Sequence, residues 1–276
     1  MQYKLIATDI DGTLITDSHA LGESTIAAIK KALDHGIKVV LCSGRSPATI
    51  KQYEDQIGLS VAGNYGIGFN GASVYEADTR KVIYGETIAQ ATAQQIVEAI
   101  KKVSDQVKIA FYLENNLLIA EEGLEKVLAI YGNNTDVTMK FYPQIKKEHI
   151  TSHVLNLYII QYRDILLPVY EALSKENFSG VNMAFTQKDL IEFMPQAMNK
   201  AQGLKALTKH LGIEMDQVVA VGDNYNDIEM IRESGYGVAV SNAVEELKTV
   251  ADYITRRDNN KDALEEVVDL VIELNN

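Results

Sequence analysis

Three short apolar runs, far apart in this chain, each break off at a residue able to do chemistry. Leu5-Ile6-Ala7-Thr8 stops at Asp9-Ile10-Asp11-Gly12, Ile37 to Cys42 stops at Ser43-Gly44-Arg45, and Val218-Val219-Ala220-Val221 stops at Gly222-Asp223. Runs of this length and apolarity read as buried strands. After the first comes a helical pattern from Ser24 to His35, with Ile26, Ile29 and Leu33 on one face, Ser24 as N-cap and Gly36 at the left-handed C-terminal position. Ser46-Pro47 opens a second helix carrying Ile50, Tyr53 and Ile57 on one face. The end of the chain repeats the alternation, with a helix from about Asp227 through Arg232, a strand over Gly237-Val238-Ala239-Val240 and a last helix after Asp262. Strand and helix in alternation give a parallel sheet covered by helices. Ligands of such sheets bind beyond the carboxyl ends of the strands. Asp9, Asp11, Ser43 and Asp223 are therefore expected in one crevice.

The middle of the chain has another grammar. From about Tyr84 to Pro195 the runs lengthen and alternate, as in Lys108–Tyr112, Leu117–Ala120, Val154–Ile160 and Leu190–Met194. Two helical patterns interrupt them, near Ala93–Val103 and Arg163–Lys175, the second requiring a late start or a kink at Pro168. The reading is an α/β protein whose discontinuous, Rossmann-like parallel-sheet core (residues 1–84 and 196–276) is split by an inserted α+β domain (85–195). A length of 276 residues suits two such domains.

Composition narrows the partners. Lys and Arg total 26 against 38 Asp and Glu, a net charge of −12, which disfavours nucleic acid and anionic membrane surfaces. A single cysteine cannot close an intramolecular disulfide or build a thiolate zinc site. The first residues hold no apolar signal core and no run approaches the ~18 apolar residues of a membrane span. A soluble, cytoplasmic location is expected, with the oligomeric state open.

Asp9 and Asp11 are two apart, so in extended chain both side chains leave one face. Asp223 and Asp227 would bring the total to about four carboxylates, whose mutual repulsion calls for a divalent cation. Oxygen ligands without nearby His or Cys suit Mg²⁺. Beside such an ion one carboxylate can attack phosphorus while a second carries the proton to the leaving oxygen. Ser43, the Ser43-Gly44 backbone and a lysine would meet the phosphoryl oxygens.

Asp9-Ile10-Asp11-Gly12-Thr13-Leu14 resembles the first motif of the haloacid dehalogenase-like phosphatases, and Gly222-Asp223-Asn224-Tyr225-Asn226-Asp227 resembles their fourth. Asn70-Gly71-Ala72 and the stretch from Gly237 through Asn242-Ala243 to Lys248 are similar to the Cof-type branch. The resemblance covers roughly residues 1–85 and 190–260. It implies an Mg²⁺-dependent phosphatase acting on small phosphorylated metabolites, with the inserted domain as a cap. It also implies Asp9 as nucleophile and Asp11 as general acid/base. Ile10, Ser43, Gly44, Lys200 and Asn226 would serve the phosphate; Asp9, Asp223, Asp227 and the backbone carbonyl of Asp11 would serve the metal. The residue after the motif lysine is usually glycine but here is Ala201, which leaves Lys205 and Lys209 as rivals of Lys200. A phosphomutase on the same motifs and a non-catalytic binding or regulatory protein are the alternative readings.

Other features carry less. Cys42 is expected to be a small buried strand residue, because a cysteine-phosphatase loop would need arginine at position 48, which is Ala48. Gly66-Ile67-Gly68-Phe69-Asn70-Gly71 spells a dinucleotide fingerprint, but the flanking Ser73-Val74-Tyr75 and Val82-Ile83-Tyr84 read as a hairpin, where the fingerprint needs a helix.

Overall fold

The computed structural model describes residues 2–113, 117–124, 138–196 and 198–276, the side chains of 186 and 187 aside. The chain divides into two compact units, Met1–Gly85 with Met198–Asn276, and Glu86–Ala197.

The first unit begins with β1 (Leu5–Thr8), buried along its whole length. Next come α1 (Glu23–Asp34), β2 (Lys38–Cys42), α2 (Pro47–Gln56) and β3 (Tyr65–Gly68). A hairpin of β4 (Ser73–Glu76) and β5 (Val82–Gly85) follows, paired antiparallel. The glycine-rich segment before that hairpin forms a short 3-10 turn, Phe69–Gly71, so no dinucleotide-type helix opens there. Ser46 caps α2 with its hydroxyl, accepting from the Thr49 N–H at 3.3 Å, and Pro47 takes the first helical position.

The expected Ser24 cap is not found. α1 starts one residue earlier, behind Gly22, which offers no side chain. The end is served from a distance: the Thr25 hydroxyl donates to Asp262 Oδ1 at 2.9 Å, and this carboxylate sits so close to Gly22 that a Cβ there would lie 1.9 Å from it. A negative charge at a helix N-terminus complements the dipole wherever in the sequence it originates.

The second unit holds α3 (Gln90–Val103), β6 (Lys108–Leu113), β7 (Leu117–Glu121), β8 (Thr138–Tyr142), β9 (Val154–Ile160), α4 (Arg163–Leu173), β10 (Val181–Gln187) and β11 (Leu190–Pro195). Its six-stranded sheet runs β10-β11-β9-β6-β7-β8. Its apolar cluster joins Ile96, Val97 and Ile100 of α3 to Ile109, Phe111, Leu157, Ile159 and Phe193 of the sheet. Pro168 lies inside α4, which neither starts late nor stops there. Burial of Leu166, Val169 and Leu173 on one face keeps the helix continuous past the proline.

The chain then completes the first unit with α5 (Lys200–Leu211), β12 (Val218–Gly222), α6 (Ile228–Glu233), β13 (Tyr236–Ala239), α7 (Glu245–Lys248), β14 (Tyr253–Ile254) and α8 (Ala263–Leu274). The eight-stranded sheet runs β14-β13-β12-β1-β2-β3-β4-β5, parallel from β14 to β3. β1 therefore sits between β2 and β12, and the first and last thirds of the sequence meet at its carboxyl end. No helix among the described residues is long and apolar enough to cross a membrane.

Candidate active site

Asp9 leaves the end of β1 with its N–H donating to the Val221 carbonyl at 2.9 Å, which ties it to the neighbouring strand end. Asp223 follows β12, and Asp227 closes the 3-10 turn Tyr225–Asp227 behind it. Carboxylate oxygens of Asp9, Asp223 and Asp227 all lie within 4.8 Å of one another. Lys200, the first residue of α5 and fully buried, enters this group from the side. Its ammonium donates to Asp9 Oδ1 at 2.5 Å and to Asp227 Oδ1 at 2.6 Å. The other oxygen of Asp227 accepts the N–H groups of Asp223 (3.0 Å) and Asn224 (3.1 Å). Asp227 thus turns back to organise the loop before it instead of capping the helix after it. The Thr13 hydroxyl donates to Asp223 Oδ1 at 2.9 Å.

Two close approaches permit this convergence. Gly12 has φ +80°, and a Cβ on it would lie 2.5 Å from Asp223 Oδ2, so only glycine turns the chain here and leaves room for the carboxylate. Gly203 of α5 packs on Gly71, where a Cβ would lie 2.7 Å from the Gly71 Cα. That contact seats α5 against the Phe69–Gly71 turn and delivers Lys200. Ala201 beside it is fully buried and obstructs nothing. The two rival lysines stay away from the cluster: Lys205 pairs with Glu233 at 2.7 Å on the surface, and Lys209 is exposed.

Three carboxylates face one ammonium. Burial pushes the Asp9 carboxyl well above the usual range, Lys200 pulls it down, and Asp227 and Asp223 push it up again. Asp223 is pushed up to about 6, first by burial and then by Asp227. Burial works against the Lys200 charge, but Asp227 and Asp9 outweigh it and hold the ammonium above its ordinary range. The surplus of negative charge, offered wholly by carboxylate oxygens with no imidazole or thiol among them, fits a hard divalent cation. Cys42 is fully buried and its thiol is pushed far up by burial, so it is no nucleophile.

Asp11 does not join this group. β1 ends at Thr8, and the chain beyond it is already turning, with the N–H groups of Leu14 and Ile15 bonded to the Ile10 carbonyl at 3.0 and 3.1 Å. The two-residue alternation of a strand no longer applies. Asp11 faces Arg45, whose Nε and Nη2 donate to its two oxygens at 2.7 and 2.6 Å. The cluster is thus one of three carboxylates and not four. Ile10 buries its side chain in the core.

Ser43 is buried at the end of β2, its Oγ accepting the Arg45 N–H at 3.2 Å. Gly44 passes close to Asn70, where a Cβ would stand 3.1 Å from the side-chain amide. Asn226 donates to Asn70 Oδ1 at 3.0 Å. Four further residues shape the site that the strand-end argument does not single out: Thr13, Arg45, Asn70 and Asn242. Asn242 Nδ2 donates to the Gly12 carbonyl at 2.8 Å and braces the loop that carries Asp11. Each lies in a stretch with a readable signal: Thr13, Asn70 and Asn242 in the segments that carry the resemblance, and Arg45 as a cation directly after a strand-end Ser-Gly.

A family model described as haloacid dehalogenase-like hydrolase matches residues 6–268. A 5-amino-6-(5-phospho-D-ribitylamino)uracil phosphatase of Bacillus subtilis is 29% identical over 91% of this chain and 89% of its own. Two crystal structures share the fold over nearly the whole length. A haloacid dehalogenase-like hydrolase of Bacteroides thetaiotaomicron has a TM-score of 0.87 at 25% identity, covering 98% of this chain and 99% of the other. A Thermotoga maritima protein has a TM-score of 0.84 at 27% identity, covering 97% of each. With the strand-end carboxylates and the buried lysine in place, this chain belongs to the haloacid dehalogenase-like hydrolase family and is a phosphatase-type hydrolase.

Proposed function

We propose that this chain hydrolyses small phosphomonoesters, sugar phosphates or similar metabolites, through a covalent aspartyl-phosphate on Asp9. The observation that carries the reading is the Lys200 ammonium bridging Asp9 and Asp227 beside Asp223. Lys200 fixes the Asp9 carboxylate and leaves one of its oxygens free of that contact. The same cation can meet a phosphoryl oxygen arriving at Asp9.

In the first step an Asp9 oxygen attacks phosphorus, the bond from phosphorus to the leaving oxygen breaks, and its electron pair stays on that oxygen. Asp11 supplies the proton that neutralises the leaving oxygen. In the second step Asp11 takes a proton from the water that attacks phosphorus, the Asp9–phosphorus bond breaks, and inorganic phosphate leaves. Ser43 and the Ser43-Gly44 backbone would hold phosphoryl oxygens, with Asn226 near them. Asp9, Asp223 and Asp227, with the Asp11 backbone carbonyl, would hold Mg²⁺. When bound, Mg²⁺ supplies positive charge to the phosphoryl oxygens and keeps the raised Asp9 and Asp223 carboxyls ionised at neutral pH.

The inserted unit would select the leaving group. The Bacillus subtilis relative is named for a phosphoribityl compound, a primary alkyl phosphate. A leaving group of that kind departs poorly without a proton, which matches the provision of a second carboxylate.

The test is hydrolysis of an aryl phosphate with Mg²⁺, with chelator, and in Asp9→Asn. Turnover is expected to require the ion and to fall by roughly 10⁴-fold or more in Asp9→Asn, the scale of losing a nucleophile. Turnover that survives both treatments contradicts the reading.

A further inference from the structure

We infer that Arg45 is an anion-exchange latch: it holds Asp11 by both oxygens in the resting enzyme and passes to the phosphoryl group of the substrate, releasing Asp11 to act. The inference rests on the proposed phosphatase reading and adds a positioning residue to it.

The two members of the pair are unequally fixed. The Arg45 side chain is 13% exposed and that of Asp11 is 45% exposed. Arg45 is built into its loop at every level. Its N–H bonds to Ser43 Oγ, its carbonyl accepts the Phe69 N–H at 2.9 Å, and its guanidinium lies 5.3 Å over the Tyr53 ring. Among the described residues the Asp11 carboxylate has only the guanidinium at hydrogen-bond range and His19 at 3.8 Å. If the pair opens, the arginine stays and the carboxylate moves.

The fork of donors that grips a carboxylate grips two phosphoryl oxygens equally well. Ser43 and Gly44 precede Arg45 directly, so a phosphoryl group seated on that loop reaches the same cation. A carboxylate with both oxygens engaged by a guanidinium can neither donate a proton nor approach a leaving oxygen. The proton chemistry assigned to Asp11 requires that it leave Arg45. Substrate arrival then does two things with one exchange: the incoming dianion gains a bidentate anchor, and the acid/base is freed only when there is a phosphate to cleave. No covalent bond changes in the exchange; one anion replaces another on a fixed cation.

The test is a double-mutant cycle read by calorimetry of inorganic phosphate binding, with Mg²⁺ present throughout. In Asp11→Asn the resident carboxylate is gone, and phosphate is expected to bind roughly three- to fivefold tighter, the scale of a part-exposed ion pair no longer to be displaced. In Arg45→Met phosphate is expected to bind about tenfold weaker or worse, with Arg45→Lys between the two because an ammonium keeps the charge but not the fork. In the double variant the gain from Asp11→Asn is expected to vanish. A gain that persists there comes from general repulsion and overturns the latch, as does a loss in Asp11→Asn. Unchanged binding in Arg45→Met overturns it too. Kinetics supply the second readout: Arg45→Met raises KM more than it lowers kcat, whereas a merely structural role would lower stability and kcat together. Phosphate binding does not require Asp9 to be the nucleophile, so failure of the latch and failure of the covalent mechanism are separate results.

Discussion

Lys200 sets the charge balance of the site. It is fully buried between Asp9 and Asp227, with Asp223 alongside. Lys200→Met would leave three clustered carboxylates without a cation, and breaking a buried pair this way costs about 3–5 kcal/mol. Urea unfolding of the metal-free variant measures that loss, and added Mg²⁺ is expected to recover part of it. The same carboxylates fix the sign of a pH effect. Asp223 is pushed up to about 6 and Asp9 is also raised, so without metal their contribution to stability is full below the ordinary carboxyl range. The part that Asp223 contributes is lost as pH rises through about 6. Mg²⁺ must displace these protons, so its affinity is expected to fall as pH drops below about 6, with proton release on binding. Calorimetry in buffers of different ionisation heat checks it; pH-independent binding contradicts it. Strand ends were enough to bring Asp9 and Asp223 together from the sequence. The orientation of Asp11 was hidden because two-residue alternation ends with β1 at Thr8, and Gly12 at φ +80° starts a turn that no strand pattern describes.

At the scale of elements, the site depends on how closely α5 approaches the Phe69–Gly71 turn. Gly203→Ala places a methyl about where Gly71 stands, and overpacking of this kind costs about 1–3 kcal/mol. It should also displace Lys200, so activity is expected to fall by more than stability alone explains. Ala201→Gly is the control: it inserts no atom, costs about 1–2 kcal/mol through lost helix propensity and one buried methyl, and should leave kcat/KM near the parent value. Thermal unfolding and steady-state rates on both variants separate the two effects. A second linkage ties the β4–β5 hairpin to α2. Glu54, fully buried, accepts from Arg80 and, at 3.0 Å, from the Tyr75 hydroxyl. Burial raises its carboxyl while Arg80 draws it down. Arg80→Met is expected to cost about 3 kcal/mol or more at neutral pH, and less as pH falls and the orphaned Glu54 takes a proton. Alternation and glycine punctuation made most of these elements legible. The start of α1 was not, because the charge at its N-terminus comes from Asp262, 237 positions beyond Thr25.

At the scale of the whole molecule, the described residues form two apolar clusters, one in each unit. A ligand stabilises only what it binds, by mass action. Scanning calorimetry is therefore expected to show two transitions, with Mg²⁺ raising the midpoint of the unit that holds Asp9, Asp223 and Asp227 and leaving the other in place. One transition moving as a whole contradicts independent cores. The split of the parallel-sheet unit could be read from the change of grammar along the chain, since β1, β2, β12 and β13 are runs of four or five residues while β6, β9, β10 and β11 run six or seven. Side-chain pairing inside each unit could not, because it depends on loops such as Ser43–Arg45 whose course no periodicity sets. The claim on which the rest stands is that Asp9 becomes phosphorylated. Rapid quench of the enzyme during turnover of an alkyl phosphate, followed by peptide mass spectrometry, tests it directly. One phosphoryl group on the peptide carrying Asp9, absent in Asp9→Asn, is the expected result; rapid turnover with no phosphorylated enzyme at any quench time would contradict it.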